Sequence, residues 1–482
     1  MAASLLPAFC FFSPLFVAVL APLLDSILGK RLPLLVIIGT SLSFISALLM
    51  IPHVIFSGII LQSPILPFQV NSTNIATLVG VALISFLSAI YNALSEGGGR
   101  LKPFLYNFFL LFFVSVMLGL TMSYDIFVIF ILAETTTLVS IMLVTHSHGK
   151  FPLQAAFKYL IITGIGAVFV LVGVTIIYEL TETTILLEIV DNPGQLLDNP
   201  KFLLLSAACF IIGLGADIGV APFHGWMPDV YPASTPTVNS FRCAKSIALV
   251  FTLYKLVHSL YVIYPSSTIV FLMGGVGVFS ITLGVLLAYR QKDFMRMAAY
   301  FSIEDYGHLT LAYGLFTPLS FIAGQMYLIN TALMEMGVLQ TLGLVYLRSH
   351  TFNMDTLGGL IERMKKTAWS YILCAFSLVG IPPLSGFFAK WLLYSAVFDF
   401  LSRHSSLAVS VSAIIFLLGA SLISLTFFIR SFQRVFLGKS TDITKKMDED
   451  PPLTCLSPVI SAVAAILIGV QPQILLGLIG AS

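Results

Sequence analysis

GIPPLSGFFAKW, from Gly380 to Trp391, interrupts an apolar stretch that is otherwise long enough to cross a membrane. Proline supplies no backbone donor and collides with the preceding turn, so a helix entering this stretch opens and leaves amides and carbonyls without helical partners. In a bilayer such groups are tolerated only where they face protein or water. Lys390 follows directly, and a charge at that depth costs about 2.5–3.5 kcal/mol on insertion scales unless it is paired, hydrated or used. The break itself gives the lysine a place, because opened backbone brings water and free carbonyls that hold an ammonium group.

The rest of the chain agrees with a membrane setting. Of its 482 residues 58% are hydrophobic and 10% charged, and the mean hydropathy is +1.00, whereas soluble domains carry about 25% charged residues. A span needs about 20 predominantly apolar residues. That criterion gives about fourteen segments, near 4–24, 32–51, 72–92, 102–121, 124–145, 153–178, 202–222, 238–262, 267–289, 296–315, 318–347, 368–400, 407–436 and 455–477. The count becomes thirteen if the first lies flat. The N-terminus lacks the basic region of a secretory signal and is read as the first span.

Basic residues collect in alternate loops. Lys30 and Arg31, Arg100 and Lys102, Lys150, Arg290 and Lys292, Arg363 with Lys365 and Lys366, and the cluster from Arg430 to Lys446 fall in the odd-numbered loops. The loop between the sixth and seventh segments is acidic, with Glu179, Glu182, Glu188, Asp191 and Asp198. Positively charged loops stay in the cytoplasm, which places both termini outside. No polar stretch is long enough to bury a core of its own, so a single membrane domain spans 1–482. The formal net charge of +2, with no basic run, argues against a nucleic-acid partner. Five scattered cysteines have no metal or iron–sulfur spacing, and no nucleophile–base pair or phosphate loop appears, so no cofactor and no catalysis by the chain alone are expected.

A second break lies at GLGADIGVAPFHGWMPD, residues 213–229. Paired breaks in corresponding places of two halves point to inverted repeats with an ion site near the midplane. The seventh and twelfth segments are five apart, which suits two five-helix repeats, one over 102–262 and one over 267–436, followed by a final helix at 455–477. Ionisable residues inside the segments are the candidates for an ion path: Glu134, Asp217, Lys245, Glu304, Asp305, His308, Glu335 and Lys390. Glu304, Asp305 and His308 would alternatively cap the start of the tenth segment. Lys158, Lys255 and His258 lie nearer segment ends, where long side chains reach the surface.

At these residues the chain resembles the antiporter-like family: the proton-translocating membrane subunits of respiratory complex I, the large subunits of multisubunit cation/proton antiporters, and relatives in membrane-bound hydrogenases. The resemblance rests on FILAETTTLV with Glu134, QAAFKYLIITG with Lys158, APFHGWMPD, AYFSIEDYGH, GIPPLSGFFAKW with Lys390, and a closing FLG…EDPPLTCLSP. Glu134, Lys158 and Lys390 sit at the family's charged positions. Three others depart from it. Asp217 stands where the first broken helix usually has a lysine. Asp305 and Glu335 occupy positions the family fills with histidine and lysine. A family lysine near Ala248 or Leu249 is replaced, one turn earlier, by Lys245.

The resemblance implies an ion-translocating module for protons or sodium in a larger energy-converting complex in a prokaryotic plasma membrane. Its partners would be other membrane subunits and iron–sulfur or nickel–iron redox subunits. The SIED form and the lack of a long lateral helix are most similar to hydrogenase-type or sulfur-reducing complexes. With Glu134 expected to face Asp217, one acid is protonated or is paired with Lys245. The first half-channel is then either rebuilt with altered polarity or no longer conducting. A non-conducting structural subunit and an antiporter subunit are the competing readings.

Overall fold

A computed structural model describes residues 3–95, 99–147, 149–447 and 453–480; residues 449–452 of the closing motif lie outside them. The chain is all-helical apart from a small hairpin of β1 (Leu61–Gln62) and β2 (Gln69–Val70). Before the first break come α1 (Leu6–Leu28), α2 (Leu34–Ile51), α3 (Ile75–Leu94), α4 (Pro103–Met122), α5 (Ile126–Val144), α6 (Phe151–Thr181), the short loop helices α7 (Leu186–Asp191) and α8 (Gln195–Asp198), and α9 (Pro200–Ile218). Between the breaks run α10 (Met227–Ala233), α11 (Pro236–Ile263), α12 (Ser267–Tyr289), α13 (Phe294–Tyr313), α14 (Pro318–Ser349) and α15 (Lys365–Val379). Then follow α16 (Ser385–His404), α17 (Leu407–Phe432), α18 (Leu456–Val470) and α19 (Gln473–Ile479).

Among the described residues, eleven helical stretches are long and apolar enough to span a bilayer, and α18 with α19, bent by 89°, would make a twelfth. Two of the fourteen expected segments therefore fall outside the apolar set. They are α13, which carries Arg296, Glu304, Asp305 and His308, and the broken pair α15 and α16. Both hold buried ionisable groups, Glu304, Asp305 and His308 on α13 and Lys390 on α16. α1, the segment whose span was open, packs along α2 and α4.

Helix α14 forms the centre. Its most apolar window is wholly buried, against 22% for α17 at the periphery. A helix buried on every side must have its polar groups answered by neighbours, and α14 carries Gln325, Asn330, Thr331 and Glu335 inward.

Local features recur at matching places along the chain. Asp125 caps α5 by accepting from the amides of Phe127 and Val128, and Asp293 caps α13 by accepting from Met295 and Arg296. Each aspartate also makes an isolated backbone bridge to a later loop, Asp125 to Ile185 and Asp293 to Asn353. Both broken helices end alike. α9 stops at Gly219 (φ +89°) and α15 at Gly380 (φ +95°), left-handed conformations that glycine adopts without steric cost. Val220 N donates to Gly215 O at 3.1 Å and Ile381 N to Phe376 O at 3.0 Å, closing a Schellman motif at each end.

Freed backbone groups at the breaks are taken up by side chains. Ser280 Oγ accepts from Ala221 N at 2.9 Å, Trp226 Nε1 donates to Ala216 O at 2.9 Å, and Ser377 Oγ accepts from Gly386 N at 3.1 Å. The second crossing is tight: a Cβ at Gly386 would sit 1.6 Å from the carbonyl oxygen of Ser377. Gly386→Ala is therefore expected to destabilise the subunit by about 3 kcal/mol or more, because backbone rather than a side-chain tip must move. Thermal unfolding of the purified protein checks this, and an unchanged midpoint would mean that α15 and α16 do not cross here.

Candidate functional site

Asp217 lies in the last turn of α9, where the helix dipole presents its negative end and disfavours a carboxylate. The compensation comes from α11. Lys245 Nζ donates to Asp217 Oδ1 at 2.7 Å, to Tyr159 OH at 2.6 Å and to Thr137 Oγ1 at 3.1 Å. Thr137 in turn donates to Asp217 Oδ2 at 2.8 Å, and Tyr159 to Oδ1 at 3.2 Å. All three ammonium protons and both carboxylate oxygens thus have partners. Of the two alternatives open for Asp217, pairing with Lys245 is the one found. Glu134 is only half-buried on α5, one turn before Thr137, within electrostatic reach of both charges but outside their hydrogen bonds.

Glu335 is answered differently. It lies on α14 among hydroxyls: Tyr231 donates to Oε1 at 2.9 Å, Tyr306 to Oε2 at 3.1 Å, and Ser302 also donates to Oε1. The cation nearest this group in kind is Arg242, a residue the sequence reading did not single out. Arg242 is 4% exposed, and its guanidinium carbon lies 4.8 Å from the ring centre of Tyr231, 4.9 Å from Trp226 and 5.8 Å from Tyr159. The signal that would have found it is its place one turn before Lys245, on the same face of α11.

The third group lies at the second break. Glu304, Asp305 and His308 are wholly buried three turns into α13, whose start is capped by Asp293, so they are not capping residues. Ser424 donates to Glu304 Oε2 at 2.6 Å, and Tyr327 donates to Asp305 Oδ1. His308 Nδ1 is 3.1 Å from the carbonyl oxygen of Glu304, which can only accept, so Nδ1 carries a proton and Nε2 is left free to exchange one. Among the described residues Glu304 Oε1, Asp305 Oδ2 and His308 Nε2 have no hydrogen-bond partner. Lys390, 3% exposed, donates to Ser421 Oγ at 3.1 Å, which also meets Tyr394 OH at 2.7 Å. Its stem crosses Gly380, where a Cβ would approach Lys390 Cδ to 3.0 Å. The stem of Lys390 therefore packs against the C-terminal end of α15, the end of a helix that favours a nearby cation.

Lys158 does not join these groups. It pairs with Asp229 at 2.8 Å, and Arg296 holds the other oxygen of Asp229 at 3.3 Å, in a partly exposed cluster. Lys255 is buried rather than reaching a surface: it donates to Ser123 O, and its ammonium lies 4.7 Å from the ring centre of Tyr124, beyond the C-terminal end of α4. Among the described residues no group of three or more His, Cys, Asp or Glu could hold a metal ion.

The fold and the site together define a multi-pass integral membrane protein with ionisable groups arrayed through its interior. Residues 123–416, more than half of the chain, match the family described as NADH:quinone oxidoreductase/Mrp antiporter, TM, and the chain belongs to that family. It is 26% identical over 366 residues to NADH-quinone oxidoreductase subunit N of Desulforudis audaxviator, covering 74% of this chain and 70% of that one. Two solved structures share the fold, each with a TM-score of 0.87. One is a chain of the Mrp complex from Dietzia sp. DQ12-45-1b, 20% identical, covering all of this chain and 97% of that one. The other belongs to the membrane-bound sulfane sulfur reductase, an archaeal respiratory membrane complex, at 23% identity, covering all of this chain and 96% of that one.

Proposed function

We propose that the chain is an ion-translocating subunit of a multisubunit energy-converting complex in the cell membrane, moving protons or sodium ions under the drive of redox chemistry in partner subunits. The observation that carries this reading is a series of buried polar groups between one broken helix and the other: Asp217–Lys245 with Tyr159, then Arg242 stacked on Tyr159 and Tyr231, then Glu335 held by Tyr231 and Tyr306, and, within electrostatic rather than hydrogen-bond reach of these, Asp305, Glu304 and Lys390. Every member holds, passes or stabilises charge, and burying so many without a use would be costly. The recurring aspartate caps and glycine-terminated breaks support two inverted repeats, over 102–262 and 267–436, within fourteen spans whose termini both lie outside.

In this reading the two halves differ. The Asp217–Lys245 group is closed, with all three ammonium protons and both carboxylate oxygens engaged, whereas among the described residues the group around Lys390 keeps unpartnered acceptors. Transfer in the first half requires breaking a contact ion pair; in the second it does not. That closed pair is also what a subunit retained for structure, without conduction through its first half, would have.

Purification of the tagged chain from its own membranes in mild detergent, with mass spectrometry of what accompanies it, tests the assignment. Iron–sulfur or nickel–iron subunits are the expected company. Recovery with small membrane subunits alone would replace the redox-driven reading by that of a cation/proton antiporter.

A further inference from the structure

Arg242 touches two networks at once. The ring of Tyr159 under its guanidinium bears the hydroxyl that accepts from Lys245 and donates to Asp217, and the ring of Tyr231 bears the hydroxyl that donates to Glu335. It lies on aromatic faces instead of closing on an acid. Its one side-chain hydrogen bond among the described residues is a long contact of 3.5 Å to Asn239 Oδ1, and no carboxylate comes within ion-pair distance. Stacking suits a planar, weakly hydrated guanidinium and leaves its charge unspent on any single partner.

The charges form a balanced set. Asp217 and Glu335 are the two acids held in these networks, Lys245 and Arg242, one turn apart on α11, are the two cations, and Glu134 on α5 faces the Asp217–Lys245 pair from outside its hydrogen bonds. The acids lie on α9 and α14, and the cations lie together on α11. Three members can gain or lose a proton. Arg242 cannot, since a guanidinium stays protonated in proteins.

We infer that Arg242 is a positioning residue whose fixed charge couples the proton state of Glu335 to that of the Asp217–Lys245 pair, an inference that rests on the ion-translocation reading. When Glu335 takes a proton, the guanidinium loses a counter-charge and the set carries a surplus that the neighbouring pair must absorb; when Glu335 releases it, the balance returns. In a low-dielectric interior such charges titrate together rather than singly. The aromatic bed keeps the guanidinium between the two acids rather than bound to either.

The test uses the assembled complex and compares Arg242→Met, which removes the charge, with Arg242→Lys, which keeps it, and with Lys390→Met as a control on the pathway itself. Expected are a loss of roughly tenfold in coupled ion transport for Arg242→Met and largely retained transport for Arg242→Lys. Should Arg242→Met fail to assemble, Arg242→Met/Glu335→Gln, which removes one charge of each sign, is expected to assemble and melt near the unsubstituted protein. Equal losses for the Met and Lys variants, or failure of the double variant to assemble, would assign Arg242 to packing and overturn the coupling. Full transport by Arg242→Met beside a dead Lys390→Met would overturn the coupling and leave the pathway standing. Full transport by both would overturn the pathway.

Discussion

Lys390→Met is expected to lower coupled ion transport by roughly 100-fold while the subunit still assembles, in line with removal of a group that handles a proton directly. Lys390 is buried at the second break, and among the described residues its one hydrogen bond is to a serine hydroxyl, so its charge is not consumed there by a contact ion pair. Glu304, Asp305 and His308 lie within its electrostatic reach and keep unpartnered atoms able to take or give a proton. Assembly survives because Ser424 still holds Glu304 and Tyr327 still holds Asp305 after the substitution, and methionine fills the space of the lysine stem. An acid left without a nearby cation can take up a proton and become neutral, which relieves the cost of burying it. Transport is measured in membrane vesicles with a pH-sensitive dye and the complex's own driving reaction, and assembly by co-purification. Normal transport in a fully assembled Lys390→Met complex would remove this lysine from the ion path.

Much of this arrangement was legible in the sequence because its signals are local. The clusters of proline and glycine at 213–229 and 380–386 mark the breaks on composition alone, and Glu335 and Lys390 stand out as charges in apolar runs. Pairing was legible only as one of two alternatives. Asp217 has Glu134 as its expected neighbour by family position, yet α11 brings Lys245 to it across 28 residues, and only the packing of α11 against α5 and α9 determines that. Arg242 escaped notice because NSFRCAKS reads as the polar start of a helix, whereas in the fold that start is buried under Trp226 and Tyr231. The tyrosines were invisible for a different reason. A hydropathy scan counts Tyr159, Tyr231, Tyr306 and Tyr327 as apolar bulk, although each of their hydroxyls donates to a buried acid. Lys158 matched a family position, but Asp229 and Arg296, distant in sequence, draw it into a separate cluster.

The first half should respond to loss of its lysine in the opposite way from the second. Lys245→Met removes the cation from a contact pair whose side chains are 3% and 9% exposed, and Asp217 then faces the negative end of α9 with only two hydroxyls to hold it. Breaking a buried pair from one side costs about 3–5 kcal/mol, because it leaves an uncompensated charge and not merely a missing bond. Lys245→Met is therefore expected to lower the unfolding midpoint of the purified complex sharply, and Asp217→Asn/Lys245→Met, which removes both charges, is expected to restore most of it. If the two variants melt alike, the pair is not the origin of the stability. Transport by the double variant then bears on function. An asparagine and a methionine can carry no proton, so retained transport would mean that ions bypass the first broken helix and enter the axis at Glu335, whereas lost transport at restored stability would make the closed pair an obligatory step that opens during turnover.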